Sequence, residues 1–106
     1  MLVMFHCYDK NNQQAKRNDA LVPHLAWVEI NMESIKVAGP LLQEETKNII
    51  GSLYIIEADN IDNAKQIFQD DPYFKADIWQ QIVTTEFKDY AGTWVGGKNW
   101  PTSSSN

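Results

Sequence analysis

The chain has 106 residues, of which 43% are hydrophobic and 22% are charged, and its formal net charge is −5. This composition is typical of one folded domain and excludes an intrinsically disordered chain. The negative charge argues against binding to nucleic acid or to an anionic membrane, because phosphate groups are bound by clustered Lys and Arg.

The cysteine content and the N-terminal residues bear on the cellular compartment. The single cysteine, Cys7, cannot form a disulfide within the chain, which is typical of a reducing environment. No apolar run approaches the roughly 18 residues that span a bilayer. Residues 1–5 have neither a basic segment nor a small-residue cleavage site, so they do not resemble a signal peptide. We therefore expect a cytoplasmic protein.

The first half of the chain predicts a strand, a helix and a second strand. Residues 2–8 are mostly apolar, which indicates a strand covered on both faces, and the polar residues 9–20 predict a loop or a loose first turn. Pro23 is expected at the first position of the helix, where its missing N–H is harmless. Residues 35–38 predict a strand that ends before Gly39-Pro40. The buried stripe of the helix is predicted to contain Leu21, Leu25, Val28 and Met32.

The second half predicts a strand, a helix and a strand. Residues 53–58 form the third predicted strand, and Asp59 or Asn60 can cap the helix that follows. The apolar stripe of that helix consists of Ile61, Ala64, Ile67 and Phe68. Residues 82–87 alternate as a fourth strand does. The order βαββαβ predicts an α+β fold, the ferredoxin-like arrangement with a four-stranded antiparallel sheet.

The predicted sheet is apolar on both faces. On the first strand Val3 and Phe5 oppose Leu2 and Met4, yet two helices can cover only one face of a four-stranded sheet. The simplest cover for the second face is another copy of the same sheet. We therefore expect a homodimer, or a higher oligomer, in which two sheets pack face to face as a dimeric α+β barrel.

Two carboxylates end the second predicted helix. That helix should stop at Asp71, because Pro72 disfavours the α conformation of the residue before it. Asp70 and Asp71 then lie at the negative end of the helix dipole, where each exposed carboxylate costs roughly 0.3–1 kcal/mol. An unfavourable local arrangement without visible compensation is typical of a functional site. Asp71 could equally bond backbone N–H groups in a turn, a use compatible with catalysis because a carboxylate has two oxygens. Asp70 is expected to be solvated.

His24 is the candidate base. Because it follows Pro23, we expect it in the first turn of the helix, where the helix dipole disfavours an imidazolium and a nearby Asp71 would favour one. Opposed influences of this kind suit a general base. The alternative is a histidine on the surface or at the edge of the core that is bonded to a backbone carbonyl.

Other polar residues are weaker candidates. Arg17 could receive a carboxylate or a phosphate, or it could be exposed. His6 could supplement His24, but two histidines without further ligands at suitable spacing do not make a metal site, so we expect no metal and no cofactor. Cys7 is interpreted as a core residue. No nucleophile elbow surrounds Ser52, which disfavours Ser-His-Asp hydrolysis.

Several short motifs follow one another in a characteristic order over residues 1–88. They are Arg17, His24-Leu25, Ala38-Gly39-Pro40-Leu41, Gly51-Ser52, Asn63-Ala64 and Asp71-Pro72-Tyr73. In this order the chain resembles the YciI-like (YCII-related) family of dimeric α+β barrel proteins. The resemblance implies a ferredoxin-like homodimer with a His/Asp-centred active site in a small pocket. By position it implies His24 and Asp71 as the catalytic pair, with Gly39, Pro40 and Ser52 shaping the pocket, and Tyr73 is a candidate for its wall.

The chain departs from that pattern before the histidine. Members often have a second basic residue between Arg17 and the histidine, where this chain has Leu21 or Val22. Proline directly precedes His24 instead of lying one residue further upstream. If the second basic residue binds an anionic group in other members, this chain is expected to prefer a less charged ligand.

Three classes of function stay open. The first is a cofactor-independent enzyme in which His24 abstracts a proton from a small organic molecule, leading to elimination or isomerisation. Asp71 would then support the base, and Arg17 or Ser52 would contact the substrate. The second is a non-catalytic module that binds a small ligand in the same pocket. The third is a structural dimer in which the His/Asp pair has no chemical role.

Residues 89–106 lie outside the resemblance and are interpreted as a C-terminal arm. The arm contains Trp94 and Trp100, and burial of an aromatic side chain is worth on the order of 2–3 kcal/mol. We therefore expect the arm to pack on its own domain, to reach a partner subunit or to roof the pocket. Residues 102–106 are small and polar and are expected to be disordered.

Overall fold

The computed structural model describes residues 1–98, so Trp100 and the expected disorder of residues 102–106 lie outside the described residues. The elements, in chain order, are β1 (Leu2–Asp9), α1 (Gln14–Ile30), β2 (Ile35–Leu42), β3 (Ile49–Glu57), α2 (Ile61–Gln69), α3 (Pro72–Lys75) and β4 (Trp79–Phe87), followed by β5 (Ala91–Gly92), a 3₁₀ turn (Thr93–Val95) and β6 (Gly97–Lys98). No helix among these residues is long and apolar enough to cross a bilayer.

The four long strands form one antiparallel sheet in the order β2-β3-β1-β4. β1 lies in the interior of this sheet, where Phe5 is opposite Tyr54 of β3 on one side and Thr84 of β4 on the other. The predicted α+β fold with a four-stranded antiparallel sheet is confirmed, and α3 is a short helix added after α2.

The two faces of the sheet differ in burial as the alternation predicts. Val3, Phe5 and Cys7 of β1 are at most 1% exposed and belong to the core that the helices cover. Leu2 and Met4, on the opposite face, are only partly buried in the single chain. The homodimer therefore stays a prediction about what covers this second face.

The predicted stripe of α2 faces the core. Ala64 and Phe68 are buried, Ile61 and Ile67 are partly buried, and the Phe68 ring stacks on Phe5 with centroids 4.2 Å apart. Asn60 caps this helix, since its side-chain oxygen accepts a hydrogen bond from the backbone N–H of residue 63 at 2.8 Å. Regular apolar spacing and a cap residue were sufficient to predict this element.

The prediction for α1 was wrong in its start and in its buried face. The helix begins at Gln14, in the segment interpreted as a loop, and Pro23 lies inside it. Leu21, Leu25 and Met32, which were expected to be buried, are 42%, 50% and 55% exposed. Val28 of the predicted stripe does pack against the core, and the other inward positions are those of Arg17, Ala20, His24 and Trp27. Two of these residues are polar, so a count of apolar spacing misses this face.

Gly39 and Pro40 lie within β2, although they were expected to end it. β2 is an edge strand, and a proline is tolerated where no neighbouring strand needs its N–H. β3 and β4 likewise begin earlier than predicted, at Ile49 and Trp79. The sheet therefore extends to the residues that surround the candidate site.

The environment of Asp71 differs from the one expected. α2 ends at Gln69, and Asp71 is the N-cap of α3, with Pro72 in the first turn. The Asp71 side chain accepts a hydrogen bond from the backbone N–H of Tyr73 at 2.9 Å. A carboxylate at a helix N-terminus is favourable, so the prediction that Asp71 occupies an unfavourable helix end was wrong.

The described part of the C-terminal arm pairs with itself as the β5-β6 hairpin. The sheet face that the helices leave uncovered, which includes Leu2 and Ile55, is called the outer face below. Ala91, Trp94 and Val95 of the arm line a cleft of about 740 Å³ together with residues of this face. The Trp94 side chain is 85% exposed, so the single chain does not bury it.

Candidate active site

A cavity of about 240 Å³ lies between α1, α3 and the β2-β3 edge of the sheet. Its lining contains all but one of the predicted site residues, together with Tyr54 and a few apolar side chains. The predicted residues in the lining are Arg17, His24, Gly39, Pro40, Ser52 and Tyr73. Asp71, the remaining one, is fully buried and hydrogen-bonded to His24. The described residues of the C-terminal arm do not line this cavity, so they do not roof it as one of the three expectations had proposed.

His24 and Asp71 are hydrogen-bonded partners, although 47 positions separate them in the sequence. The distance from Nδ1 of His24 to Oδ1 of Asp71 is 2.8 Å, and the two side chains are 13% and 0% exposed. An ionised carboxylate can only accept, so Nδ1 is the donor of this hydrogen bond, and in the neutral form of the ring the lone pair lies on Nε2. Among residues 1–98, no protein group is hydrogen-bonded to Nε2.

His24 does not lie at a helix N-terminus. α1 begins at Gln14, ten residues before His24, so the expected influence of the helix N-terminus on the imidazole is absent. The charged group that acts directly on the ring is Asp71. The base candidate therefore depends on one carboxylate and not on a balance between a carboxylate and the helix dipole.

Three donors hold the Asp71 carboxylate. Oδ1 accepts from Nδ1 of His24 and from the backbone N–H of Tyr73, and Oδ2 accepts from the Tyr54 hydroxyl at 2.6 Å. Burial, and next the charge of Asp71, raise the pKa of Tyr54, so its hydroxyl stays protonated and donates. These hydrogen bonds offset the cost of burying the negative charge of Asp71, and they orient the carboxylate toward His24. Tyr54 lies in the third predicted strand, residues 53–58, and nothing near it in sequence indicates that its partner is Asp71.

Two aromatic residues hold the His24 ring from its faces. The Tyr73 ring stacks on the imidazole with centroids 3.8 Å apart and planes 9° apart. The ring centroid of Trp27 lies 6.0 Å from that of the imidazole, and the Nε1–H of Trp27 donates to the carbonyl of Ile67 at 3.1 Å. The imidazole is thus positioned by packing as well as by its hydrogen bond.

Arg17 lies at the other end of the cavity and is buried, not exposed. Nε and Nη2 donate to the two carboxylate oxygens of Asp9 at 2.8 and 2.7 Å. Nη2 also donates to the carbonyl of Gly51 at 3.1 Å and to Oγ of Ser52 at 2.9 Å. Burial opposes the charge of Arg17, but the hydrogen bond and charge of Asp9 outweigh it and raise the pKa of Arg17. Asp9 belongs to residues 9–20, for which the sequence predicts a loop or a loose first turn, and nothing in that pattern indicates its pairing with Arg17.

Tyr73 connects the two ends of the cavity. Its ring contacts the imidazole of His24, and the guanidinium carbon of Arg17 lies 5.1 Å from the ring centroid. Burial raises the pKa of Tyr73, the Arg17 charge opposes this, and the Asp71 charge adds to it. The cavity therefore has a base at one end, a cation at the other and an aromatic wall between them.

The remaining candidates lie apart from this cavity. His6 is on the opposite sheet face, where its Nδ1 is 3.4 Å from the Tyr8 hydroxyl, so it does not supplement His24. Asp70 is exposed. Cys7 is buried in the core, and this burial raises its pKa to about 12. Within residues 1–98, no group of three His, Cys, Asp or Glu side chains could hold a metal ion.

Solved structures of three proteins are similar to this chain. It is 29% identical to 5-chloro-2-hydroxyhydroquinone dehydrochlorinase from Burkholderia phenoliruptrix AC1100, solved in complex with 2,5-dihydroxybenzoquinone. That match has a TM-score of 0.77 and covers 88% of this chain and 97% of the dehydrochlorinase chain. A protein from Agrobacterium tumefaciens is 13% identical, with a TM-score of 0.49 and coverage of 83% of this chain and 92% of its own. A protein from Arabidopsis thaliana is 9% identical, with a TM-score of 0.46 and coverage of 86% and 96%. No curated protein sequence matches the chain.

The sequence pattern of the YCII-related domain matches residues 1–88. This span includes the complete four-stranded sheet and every residue that lines the candidate cavity. The C-terminal hairpin lies beyond it. The chain therefore belongs to the YCII-related domain family.

Proposed function

We propose that this protein is a cofactor-independent enzyme in which His24 accepts a proton from a small organic molecule. One observation carries the proposal: Nδ1 of His24 is anchored to the buried Asp71 at 2.8 Å, while the ring lines a cavity with Nε2 free of protein partners in residues 1–98. A histidine with one nitrogen oriented by a carboxylate and the other open is suited to general base catalysis.

The proposed reaction begins when Nε2 of His24 takes a proton from the substrate. In an elimination, the electron pair left behind forms a double bond and expels the leaving group from the keto tautomer of the substrate. In an isomerisation, it shifts a double bond and the imidazolium returns the proton to another carbon. Neither step needs an oxidant or a reductant. Asp71 stabilises the imidazolium that forms, and Tyr54 keeps Asp71 in place. We expect Arg17 or Ser52 to contact an oxygen of the substrate, because both line the cavity together with Gly39 and Pro40.

Elimination from a hydroxylated ring is the best-supported form of this chemistry. The cavity, at about 240 Å³, is smaller than the roughly 300–1,000 Å³ of pockets for drug-sized ligands, so a single ring suits it. The structural neighbour with 29% identity is a dehydrochlorinase, and its name gives 5-chloro-2-hydroxyhydroquinone as the substrate. We propose a related substrate class for this chain, namely small hydroxylated rings that carry a leaving group.

Chloride release from 5-chloro-2-hydroxyhydroquinone tests the proposal. We expect turnover by the purified protein, and His24→Gln should lower the rate by about 10²-fold or more, because a general base contributes about 10²–10⁴-fold. Asp71→Asn should also slow the reaction, since an amide oxygen carries no charge to stabilise the imidazolium. Asp70→Asn is the matched control, because Asp70 is exposed and has no hydrogen bond to the site.

Two results would contradict the proposal. An unchanged rate in His24→Gln would show that this imidazole is not the base. Saturable binding of hydroxylated rings without turnover of any halogenated member would instead favour a ligand-binding module that uses the same cavity.

A further inference from the structure

We propose that Asp9 sets the ligand preference of the cavity, by occupying one edge of Arg17 and balancing its charge. The cavity then binds an uncharged hydroxylated ring in preference to a carboxylate or a phosphate. This inference rests on the proposed function insofar as the cavity is taken to be the substrate site. The experiments that test it measure ligand binding and do not require turnover.

The first argument is the geometry of the ion pair. Asp9 accepts hydrogen bonds from both Nε and Nη2 of Arg17, and the two side chains are 6% and 4% exposed, respectively. Proteins recognise carboxylates and phosphates most specifically through this same two-nitrogen edge of arginine. In this chain Asp9 already uses that edge. Arg17 is also a hydrogen-bond partner of Tyr73, and Nη1 makes none of the four bonds to Asp9, Gly51 and Ser52. The guanidinium therefore offers a ligand oxygen one donor at most.

The second argument is the position of Asp9 behind Arg17. Asp9 lines a separate cleft of about 350 Å³ near residues 10–14 and 48–50, whereas Arg17 lines the candidate cavity. A ligand in the cavity therefore meets Arg17 and not Asp9. Asp9 acts through Arg17, which makes it a positioning residue.

The third argument is the charge around the cavity. Arg17 is the only Lys or Arg among the described residues of the lining, and it is paired with Asp9. Asp71, hydrogen-bonded to His24, adds a second carboxylate near the cavity. An anion formed before binding is therefore disfavoured, while a phenol, with a pKa near the roughly 10 of tyrosine, enters uncharged. Negative charge that develops on the ring is offset by the imidazolium formed in the same step.

The wild-type protein provides the first test. We expect isothermal titration at pH 7 to show binding of hydroquinone at least about tenfold tighter than binding of benzoate or inorganic phosphate, a factor that corresponds to about 1.4 kcal/mol. Equal or tighter binding of benzoate or phosphate would overturn the inference. Failure of hydroquinone to bind at all would overturn it as well.

Asp9→Asn provides the second test, because it keeps the side-chain shape and removes the charge. The uncompensated guanidinium should bind benzoate at least about tenfold more tightly than in the wild type, with a smaller change for hydroquinone. A purely structural role for Asp9 predicts no such gain. Asp77→Asn is the matched control, since it removes one carboxylate that is exposed and paired with Lys10 outside the cavity lining.

The outcomes separate this inference from the proposed function. A folded Asp9→Asn protein, verified by its thermal unfolding, that gains no affinity for benzoate would refute the role of Asp9. If the variant does not fold, the wild-type preference still decides the ligand class. Absence of chloride release together with the expected binding preferences would refute the enzyme and leave the ligand class standing.

Discussion

At the scale of single residues, two buried carboxylates support the two ends of the cavity. Asp71 is hydrogen-bonded to His24, and Asp9 is paired with Arg17. Each carboxylate is nearly or fully buried and makes two or more hydrogen bonds to its surroundings. A buried charge without such partners is strongly destabilising, so these contacts maintain the fold as well as the site.

Tyr54→Phe tests how strongly Asp71 depends on its surroundings. The change preserves the ring but removes the donor to Oδ2, one of three hydrogen bonds to a buried carboxylate. We expect a loss of about 1–3 kcal/mol in the free energy of unfolding, measured by urea denaturation. Tyr90→Phe is the control, because Tyr90 is 45% exposed and lies in the arm. Equal unfolding midpoints for the two variants would show that the Tyr54 hydroxyl contributes little.

Cys7 provides a test of burial by its reactivity. Burial, followed by the charge of Asp71, raises the pKa of Cys7 to about 12, so the thiol stays protonated at pH 8. The thiolate is the reactive form, and we therefore expect the native protein to react slowly with a chromogenic disulfide reagent. The same protein unfolded in urea should react promptly and stoichiometrically. Rapid reaction of the native protein would show that the core around Cys7 opens readily.

At the scale of secondary structure, α3 explains why Asp71 has its conformation. Asp71 caps α3 through Oδ1, which also accepts from His24. Asn is as good an N-cap as Asp, so Asp71→Asn should keep α3 intact while removing the charge. A loss of activity in that variant therefore reports on the carboxylate and not on the helix.

Gly51→Ala tests the close approach of β1 and β3. A Cβ at position 51 would lie 2.3 Å from the backbone carbonyl oxygen of Cys7, so the two strands would have to separate. We expect a loss of about 1–3 kcal/mol of stability, the usual cost of overpacking, measured as a lower urea midpoint. Gly39→Ala is the matched control, because nothing lies within 4 Å of its added Cβ. Equal midpoints would mean that the strands adjust without cost.

At the scale of the whole molecule, the outer face of the sheet is an apolar surface that the single chain does not cover. Leu2, Met4 and Ile55 of this face are only partly buried, and Val83 is 38% exposed. The arm extends this surface, since Trp94 is 85% exposed beside the cleft that the arm and the sheet share. Contiguous apolar surface of this kind is typical of an interface between proteins.

We expect a homodimer whose mass is about twice the 12.2 kDa of the chain, measured by light scattering at micromolar concentration. Met4→Glu would place a charge on the outer face and should yield monomers. Deletion of residues 89–106 should weaken the dimer, because it removes Trp94, whereas deletion of residues 102–106 should have no effect. A well-folded monomeric wild type would contradict the expectation that a second copy covers this face.

Local patterns were sufficient to predict most of the fold. The alternation of Val3 and Phe5 with Leu2 and Met4 predicted the two sheet faces, and the apolar stripe with its Asn60 cap predicted α2. The prediction for α1 was wrong because its inward face carries Arg17 and His24, which an apolar count assigns to the solvent side. An inward arginine or histidine is stable only when a partner satisfies it, and those partners are distant in sequence.

The order of the motifs named several of the residues that line the cavity, but it could not predict how they are connected. His24 and Asp71 meet only because α1 packs beside α3, and Tyr54 reaches Asp71 from the sheet. Asp9 and Arg17 are close in sequence, yet the burial that makes their pairing strong comes from the packing of α1 against β1 and β3. Local spacing determines which face of an element a side chain occupies. The hydrogen-bond partner of that side chain and its exposure to water depend on which elements pack together, and the pattern of a single sequence does not determine that packing.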